Sequence, residues 1–366
     1  MSQGEFQLWE KLFSPPAAAE SCRTFPMRLL RRGGHPFLLV PNSSRLAAKG
    51  LDLYAPQTTL ARCVTGTLRF LLRLGWVGGL EKTELHISEE DSFVAYLNQE
   101  ARTTQAQFAL LLGNPNVRGQ RCIFLLFDAH GDAAAVIKAG VGTEAQALVA
   151  HEEAFLKNVP SETPGVPHLR SVFGSERVRA LALDFFGGAA ASKNDWGSAG
   201  KLLSAWIDPN RVVALAELPV WNRLLISAGE QLPKRVRELG AAKFCSTLFH
   251  GDFAPWNVRV NHGSWTLVDW ERGELAGPPL WDLVHFVIQP AILVNKARPQ
   301  SIVHRLSELF RTPVFVQYAA RAKVQGLEWL LVQAYLEYCV YVIRQTEGLN
   351  GIRALAQSQA FAEMTN

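Results

Sequence analysis

Residues 250–257 read HGDFAPWN, and residues 265–271 read WTLVDWE. The first stretch sets a carboxylate, Asp252, and a carboxamide, Asn257, among aromatic residues whose ordinary place is a core. Phosphoryl transfer asks for such a set. It needs a group that orients an attacking hydroxyl and accepts its proton, and hard oxygen ligands that hold Mg2+ against the phosphates. Asp252 is then the candidate base and Asn257 a candidate metal ligand, on a loop that Phe253, Pro255 and Trp256 would pin to a core. His250 reads as structural, its imidazole bonded to the loop backbone. In the second stretch an apolar β-type run ends in Asp269, where a second metal ligand belongs. A turn at a strand end also accounts for a lone aspartate. Asp252, Asn257 and Asp269 in this order, however, together satisfy one mechanism.

Upstream, QFALLLG (107–113), RCIFLLFD (121–128) and AAAVIKAG (133–140) predict a three-stranded antiparallel meander. Its first loop, Gly113 to Gln120, carries Gly113 and Gly119 and could cover phosphates with backbone N–H groups, although a hairpin calls for glycine in any case. Lys138 interrupts an otherwise apolar strand. It is either an edge-strand lysine in solvent or a buried cation that needs a partner. The following helical stretch, EAQALVAHEEAFLKNV, puts Leu148, Glu152, Phe155 and Val159 on one face. Glu152 therefore faces the apolar side and Lys138 is its natural partner, while Glu153 points toward water. A strand lysine followed by an inward helix glutamate is the arrangement that holds nucleotide phosphates in kinases. Two more strands, around LRSVFG (169–174) and RVRALALDFF (177–186), make the sheet five-stranded. The segment LDFFGG, with Leu183 and Phe185, would be the hinge that holds the nucleotide base. It precedes the catalytic segment, so it is not the metal-binding Asp-Phe-Gly of protein kinases.

At 366 residues, 48% hydrophobic and 19% charged, the chain is folded rather than disordered and long enough for two lobes. Its five cysteines lie far apart with no CxxC pair, which indicates neither a disulfide framework nor a zinc site and fits a reducing cytoplasm. No apolar run predicts a transmembrane segment: the stretch from Leu327 to Arg344 holds two glutamates and reads as a buried helix. The net charge of +4 is uneven, with ten Lys/Arg against four Asp/Glu in residues 1–80. Within that segment LARCVTGTLRFLLRLGW puts Leu60, Val64, Leu68, Leu71 and Leu72 at helical spacing with Arg62, Arg69 and Arg73 elsewhere on the wheel. This reads first as a helix packed on its own protein with a solvated basic face, and second as a surface for an anionic membrane or partner. No nucleic-acid-binding motif accompanies the charge, so nucleic acid is not an expected partner.

HGDFAPWN, then LVDWE, then GPPLWDL resembles the aminoglycoside phosphotransferase and choline kinase-like family, which belongs to the protein-kinase-like superfamily. The resemblance covers roughly residues 105 to 345. It implies Asp252 as the catalytic aspartate, Asn257 and Asp269 as Mg2+ ligands, Lys138 with Glu152 as the phosphate-positioning pair, and Asp282 as a brace for the catalytic segment. The implied fold is α+β and bilobal. Residues 1–100 form a basic, partly helical N-terminal extension, residues 101–186 an N-lobe with a five-stranded antiparallel sheet and one key helix, and residues 187–366 a mainly helical C-lobe.

The expected activity is transfer of the γ-phosphoryl group of ATP to a hydroxyl of a small molecule or glycan. GTP stands beside ATP, because a hinge reads the base largely through backbone groups. A protein acceptor is disfavoured, since the interval from Asp269 to Asp282 is too short for an activation loop ending in Ala-Pro-Glu. Asp195, Trp196, Trp206, Glu328, Trp329 and Glu337 are candidates for an acceptor pocket, but read more readily as ordinary core or surface. The alternative reading is an inactive nucleotide-binding scaffold that docks through its basic N-terminal segment. A scaffold commonly loses the lysine, the base or a metal ligand, and all are present here.

Overall fold

The computed structural model describes residues 11–14, 22–113, 119–344 and 348–365. The chain divides into two compact units, one of residues 1–157 and 167–187, the other of residues 158–166 and 188–366.

The first unit is built on one antiparallel sheet of eight strands. These are β1 (Cys22–Arg32), β2 (His35–Pro41), β3 (Glu81–Ser88), β4 (Gln107–Leu112), β5 (Arg121–Phe127), β6 (Ala133–Val141), β7 (Leu169–Gly174) and β8 (Val178–Leu183), in the order β3-β1-β2-β4-β5-β6-β8-β7. The five strands expected from residue 107 onward are β4 to β8. The sheet does not stop there, because three strands from the first hundred residues continue it. β2 pairs with β4 through Leu38 opposite Leu111 and Leu39 opposite Leu110. The segment read as an extension is therefore part of the same sheet. The reason is visible in β1, where Phe25, Met27 and Leu29 alternate with Thr24, Pro26 and Arg28 and so share one face. Counting charge hides that period of two.

Both faces of the sheet are covered. On one, Phe25, Phe108 and Phe124 of the strands meet Phe13 and Phe93, the last from the helix Ser92–Glu100, with ring centroids 5.3 to 5.8 Å apart for Phe108–Phe124, Phe25–Phe108, Phe93–Phe124 and Phe13–Phe93. On the other, Leu38, Val40, Ala109, Leu125 and Phe127 pack on Ala47 and Ala48 of the helix Ser44–Gly50. Asp91 ties the aromatic side together. Its buried carboxylate caps the helix Ser92–Glu100 by accepting from the N–H groups of Phe93 (2.7 Å) and Val94 (3.2 Å), and it also takes the Ser14 N–H and Arg177 Nη2 (2.8 Å). Burial pushes its pKa up, but these donors outweigh burial and hold it below the usual carboxylate value.

The second unit is mainly helical with two small sheets, β10 (Ile207–Ala214) with β11 (Lys243–Phe249) and β14 (Glu274–Gly277), and β13 (Ser264–Leu267) with β12 (Val258–Asn261) and β9 (Ala189–Ala190). The loop HGDFAPWN joins β11 to β12, and Asp269 follows β13. The helix Trp281–Leu293 is apolar nearly all round and correspondingly buried almost throughout. The stretch read as a buried C-terminal helix is the helix Glu328–Tyr338, continued by a wider π turn over Cys339–Ile343. Among the described residues no helix is long and apolar enough to cross a membrane.

Phe93 and Phe124 are both fully buried in the aromatic cluster. Replacing either by alanine is expected to cost about 3–5 kcal/mol of the first unit's stability in chemical unfolding. A loss below about 1 kcal/mol for Phe93→Ala would show that the first hundred residues do not share this core.

Candidate active site

The loop HGDFAPWN of the second unit is held from beneath by Asp282, in the first turn of the helix Trp281–Leu293. Its carboxylate, 4% exposed, accepts the backbone N–H of His250 at 2.7 Å and that of Gly251 at 3.0 Å. Gly251 has φ +76°, and a Cβ there would lie 2.8 Å from Cβ of Arg272, so the turn after His250 admits only glycine. His250 is fully buried. Its Nε2 donates to the Val268 carbonyl (3.1 Å) and its Nδ1 accepts the Asp252 N–H (3.2 Å), a pattern that requires a neutral ring. Burial lowers its pKa to about 4, in agreement with that tautomer. Burial likewise raises the Asp282 pKa to about 7, against the pull of the two N–H donors.

From this base the reactive groups project. Asn257 is buried and gives both its donors to the aspartate, with Nδ2 2.9 Å from the Asp252 carbonyl and 2.9 Å from Asp252 Oδ2. That turns the carboxamide oxygen, a hard ligand, away from Asp252. The Val268 N–H donates to the Asn257 carbonyl at 2.8 Å and fastens the end of β13 to the loop. Asp269, the next residue, has φ +77°, a conformation an aspartate adopts at a cost and one that is concentrated at functional sites. Its negative charge acts to raise the Asp252 pKa. Among the described residues no group of three His, Cys, Asp or Glu is arranged to hold a metal. The donor set suits Mg2+ nevertheless, because that ion takes one or two carboxylates and fills its shell with water and substrate phosphates.

Two further candidate residues were not expected from the sequence. His285 Nε2 lies 3.0 Å from Asp252 Oδ1, and His285 Nδ1 meets the Tyr335 hydroxyl at 2.9 Å, so Tyr335, His285 and Asp252 form a line that is buried except at its Asp252 end. Burial pushes the Asp252 carboxyl up, while the hydrogen bond and charge of His285, helped by Arg272, bring it below its ordinary value. Asp252 keeps 30% of its side chain exposed, enough to meet a substrate. The signal for His285 was present: it stands one helical turn beyond Asp282, where i and i+3 share a face. Tyr335 carries no such mark, since it belongs to another helix.

The aromatic support differs from expectation in one member. Phe253 is fully buried, 5.9 Å from Trp206 and 5.4 Å from Phe286, and Pro255 is buried, whereas Trp256 is only half-buried. Trp206, a candidate for stacking on sugars, is 4% exposed and lies between Phe253 and Trp270 as part of that support. Asp195 spends its carboxylate on the Ser198 N–H at 3.0 Å, capping the helix Trp196–Ala205. Trp196 lies under the Arg305 guanidinium, 5.5 Å from ring to cation, and Trp329 packs on Phe310 and Phe361. Glu328 and Glu337 are half-buried.

In the first unit, Lys138 of β6 alternates with Ile137 and Ala139, which face the aromatic cluster, and so projects from the opposite face. Its Nζ lies 2.7 and 2.8 Å from the two oxygens of Glu152, on the helix Thr143–Asn158, and both side chains are nearly inaccessible. Glu153 does not face water as its position on the wheel implied. It is 7% exposed, held by Arg179 (2.8 Å) and Lys157 (2.6 Å), because β8 runs beside that face of the helix. Of the glycine loop, Gly113 donates its N–H to the Arg121 carbonyl (3.0 Å), and Gly119, at φ +71°, lies where a Cβ would be 2.8 Å from Leu148. Both glycines have local reasons, and residues 114–118 between them lie outside the described residues. Leu183 ends β8 in the core, and Phe185 packs, partly buried, against the cluster that holds Leu38, Leu125 and Phe127.

Two sets of expected outcomes follow from these environments. His285→Ala removes the group that lowers Asp252, so the acid limb of a pH–rate profile should move to higher pH. An unmoved limb would show that His285 does not hold Asp252. The second set concerns stability. His250, lowered to about 4 from 6.5, contributes stability that is present above pH 6.5 and lost as pH falls toward 4. Asp282, raised to about 7 from 3.8, contributes stability that is present below pH 3.8 and lost as pH rises through 7. The two oppose each other, at roughly 3 kcal/mol for His250 and roughly 4 kcal/mol for Asp282. Urea unfolding of Asp282→Asn should therefore grow more stable as pH rises from 4 to 6.5, and His250→Gln less stable from 4 to 7; equal slopes in both variants would contradict the assignment.

Residues 187–327 match the model of the phosphotransferase enzyme family APH. No curated protein matches the chain in sequence. Solved structures similar to it include a thermostable mutant of aminoglycoside phosphotransferase APH(4)-Ia in ternary complex with ADP and hygromycin B, at 12% identity and TM-score 0.44 over 75% of this chain and 99% of that one. A putative fructosamine-3-kinase from Haemophilus somnus 129PT is similar at 10% identity and TM-score 0.41 over 75% and 97%. Aminoglycoside phosphotransferase APH(3'')-Id from Streptomyces rimosus is similar at 15% identity and TM-score 0.40 over 68% and 97%. The segment holding Asp252, Asn257, Asp269 and Asp282 thus matches the phosphotransferase enzyme family, the class that the order of its motifs implied.

Proposed function

We propose that the protein transfers the γ-phosphoryl group of ATP to a hydroxyl of a small molecule or glycan, with Asp252 as the base. The observation that carries the reading is the Asp252–Asn257 pair, locked 2.9 Å apart on a loop braced by the buried Asp282 and followed by the strained Asp269. Such positioning is most of what phosphoryl transfer demands of a protein.

In this reading the acceptor hydroxyl hydrogen-bonds to Asp252, whose oxygens keep a lone pair each beyond their bonds to Asn257 and contact with His285. The hydroxyl oxygen attacks phosphorus, the bond to the β-phosphate oxygen breaks, ADP leaves, and the hydroxyl proton passes to Asp252. Asn257 and Asp269 would hold Mg2+, which supplies charge neutralisation at the phosphates. Lys138, steadied by Glu152, would meet the α- and β-phosphates, with Gly113 and Gly119 flanking the phosphate loop and Leu183 and Phe185 at the base. The unpaired cysteines fit a reducing cytoplasm. The scaffold alternative is not favoured, because the lysine, the base and both ligand side chains are all present.

The test is nucleotide consumption with Mg2+ across aminoglycosides, amino alcohols, monosaccharides and nucleosides, with Asp252→Ala in parallel. Turnover on one class should fall about 10²–10⁴-fold in the variant while nucleotide binding persists. Undiminished turnover in Asp252→Ala would refute the assignment.

A further inference from the structure

The helix Thr59–Arg73 forms where the sequence predicts it, but its faces are used differently. Ala61, Thr65, Leu68 and Leu72 fall on the side that packs, and Leu72 is fully buried. Leu60, Val64, Phe70 and Leu74 lie on the other side and are 75%, 59%, 62% and 68% exposed; Trp76, just beyond, is 48% exposed. Among the described residues eleven large hydrophobics are exposed, and these five are the cluster, the other six being scattered singly. A patch of that kind marks a docking surface rather than ordinary surface composition.

The charges beside it identify the partner. Arg62, Arg69 and Arg73 stand at i, i+7 and i+11, one stripe along the border between the packed and the exposed faces. No acidic residue occurs between Asp52 and Glu81. The arginine stripe borders a cleft of about 190 Å3 lined by Ser44, Arg45, Lys49, Asp52, Arg69 and Arg73. Asp52 pairs with Arg69 (2.6 Å) and Asp132 with Lys49 (2.5 Å), while Arg45 and Arg73 are exposed. Leucine, valine and phenylalanine outward, tryptophan at the end and cations at the border are the features of a helix lying in a lipid–water interface, with headgroup phosphates at the level of the arginines. A second copy is a poorer fit. Facing copies would set the arginine stripes of both helices against each other, with no acidic residue between Asp52 and Glu81 to pair them.

We infer that the helix Thr59–Arg73, with Trp76 and the basic cleft beside it, seats the first unit on an anionic phospholipid bilayer, apolar face in the acyl boundary and arginines among the phosphates. This does not rest on phosphotransfer, and Asp252→Ala should bind lipid as the wild type does.

The test is sedimentation of the full chain with vesicles of phosphatidylcholine alone and of phosphatidylcholine with phosphatidylglycerol, at about 150 mM salt. Wild type should partition to the anionic vesicles about tenfold more strongly than to the neutral ones. Phe70→Ser with Leu74→Ser, both at exposed positions, should lower that partition about tenfold without changing the far-ultraviolet spectrum. Arg62→Ser with Arg73→Ser should abolish the preference for anionic lipid. Wild type that stays in the supernatant, equal binding to both vesicle types, or a serine double variant that binds as wild type does would each overturn the inference. A wild-type dimer in light scattering that the same double variant converts to monomer would also overturn it, in favour of a second copy.

Discussion

The candidate active site depends on one buried carboxylate. Asp282 has no solvent to satisfy it and accepts two consecutive backbone N–H groups, those of His250 and Gly251. A carboxylate offers two oxygens at a fixed spacing, so it sets the direction of the chain entering the loop, which a single acceptor would not. His250 then carries the constraint sideways, through its two ring nitrogens, to the Asp252 N–H and the Val268 carbonyl. Asp252 and Asp269 are thereby referred to a common support although they lie on opposite sides of a hairpin.

That support brings opposed electrostatic costs. Burial disfavours charge on both His250 and Asp282, so one loses proton affinity and the other gains it. Of the three, Asp252 alone is moved the opposite way to its burial, because His285 stands at its carboxylate. The contrast separates the groups that hold the loop from the group the loop presents. In the other unit the same problem of a charge in a core is met by direct pairing, Lys138 with Glu152, with Glu153 between two cations behind it.

Much of this was legible in the residues. The strand β6 and the helix after it are regular, so their periods assign Lys138 and Glu152 to facing sides without any knowledge of neighbours. The loop HGDFAPWN was legible for a different reason: polar groups among residues that belong in a core conflict with the pattern, and such conflicts concentrate at functional sites. The conformation of Asp269 and the partnership of His285 were not legible in the same way. The first is a backbone dihedral, and the second joins residues 33 positions apart in the chain, Asp252 and His285.

By itself, then, the amino-acid sequence determined the strands and helix between residues 107 and 183 and marked Lys138, Glu152, the aspartates and Asn257 as candidates, because those follow from local period and chemical type. What a face packs against is a different matter, since periodicity says that a face is apolar and not whether another element covers it. Glu153 is buried because β8 runs beside its helix, and Trp206 is core because Phe253 and Trp270 close over it. The strands β1 to β3 belong to the sheet because β2 pairs with β4, while Leu60, Val64 and Phe70 of the helix Thr59–Arg73 stay in solvent because only the side of that helix with Leu68 and Leu72 packs on the sheet's layer. Each of these outcomes required distant segments to meet, and only the tertiary structure decides which segments do.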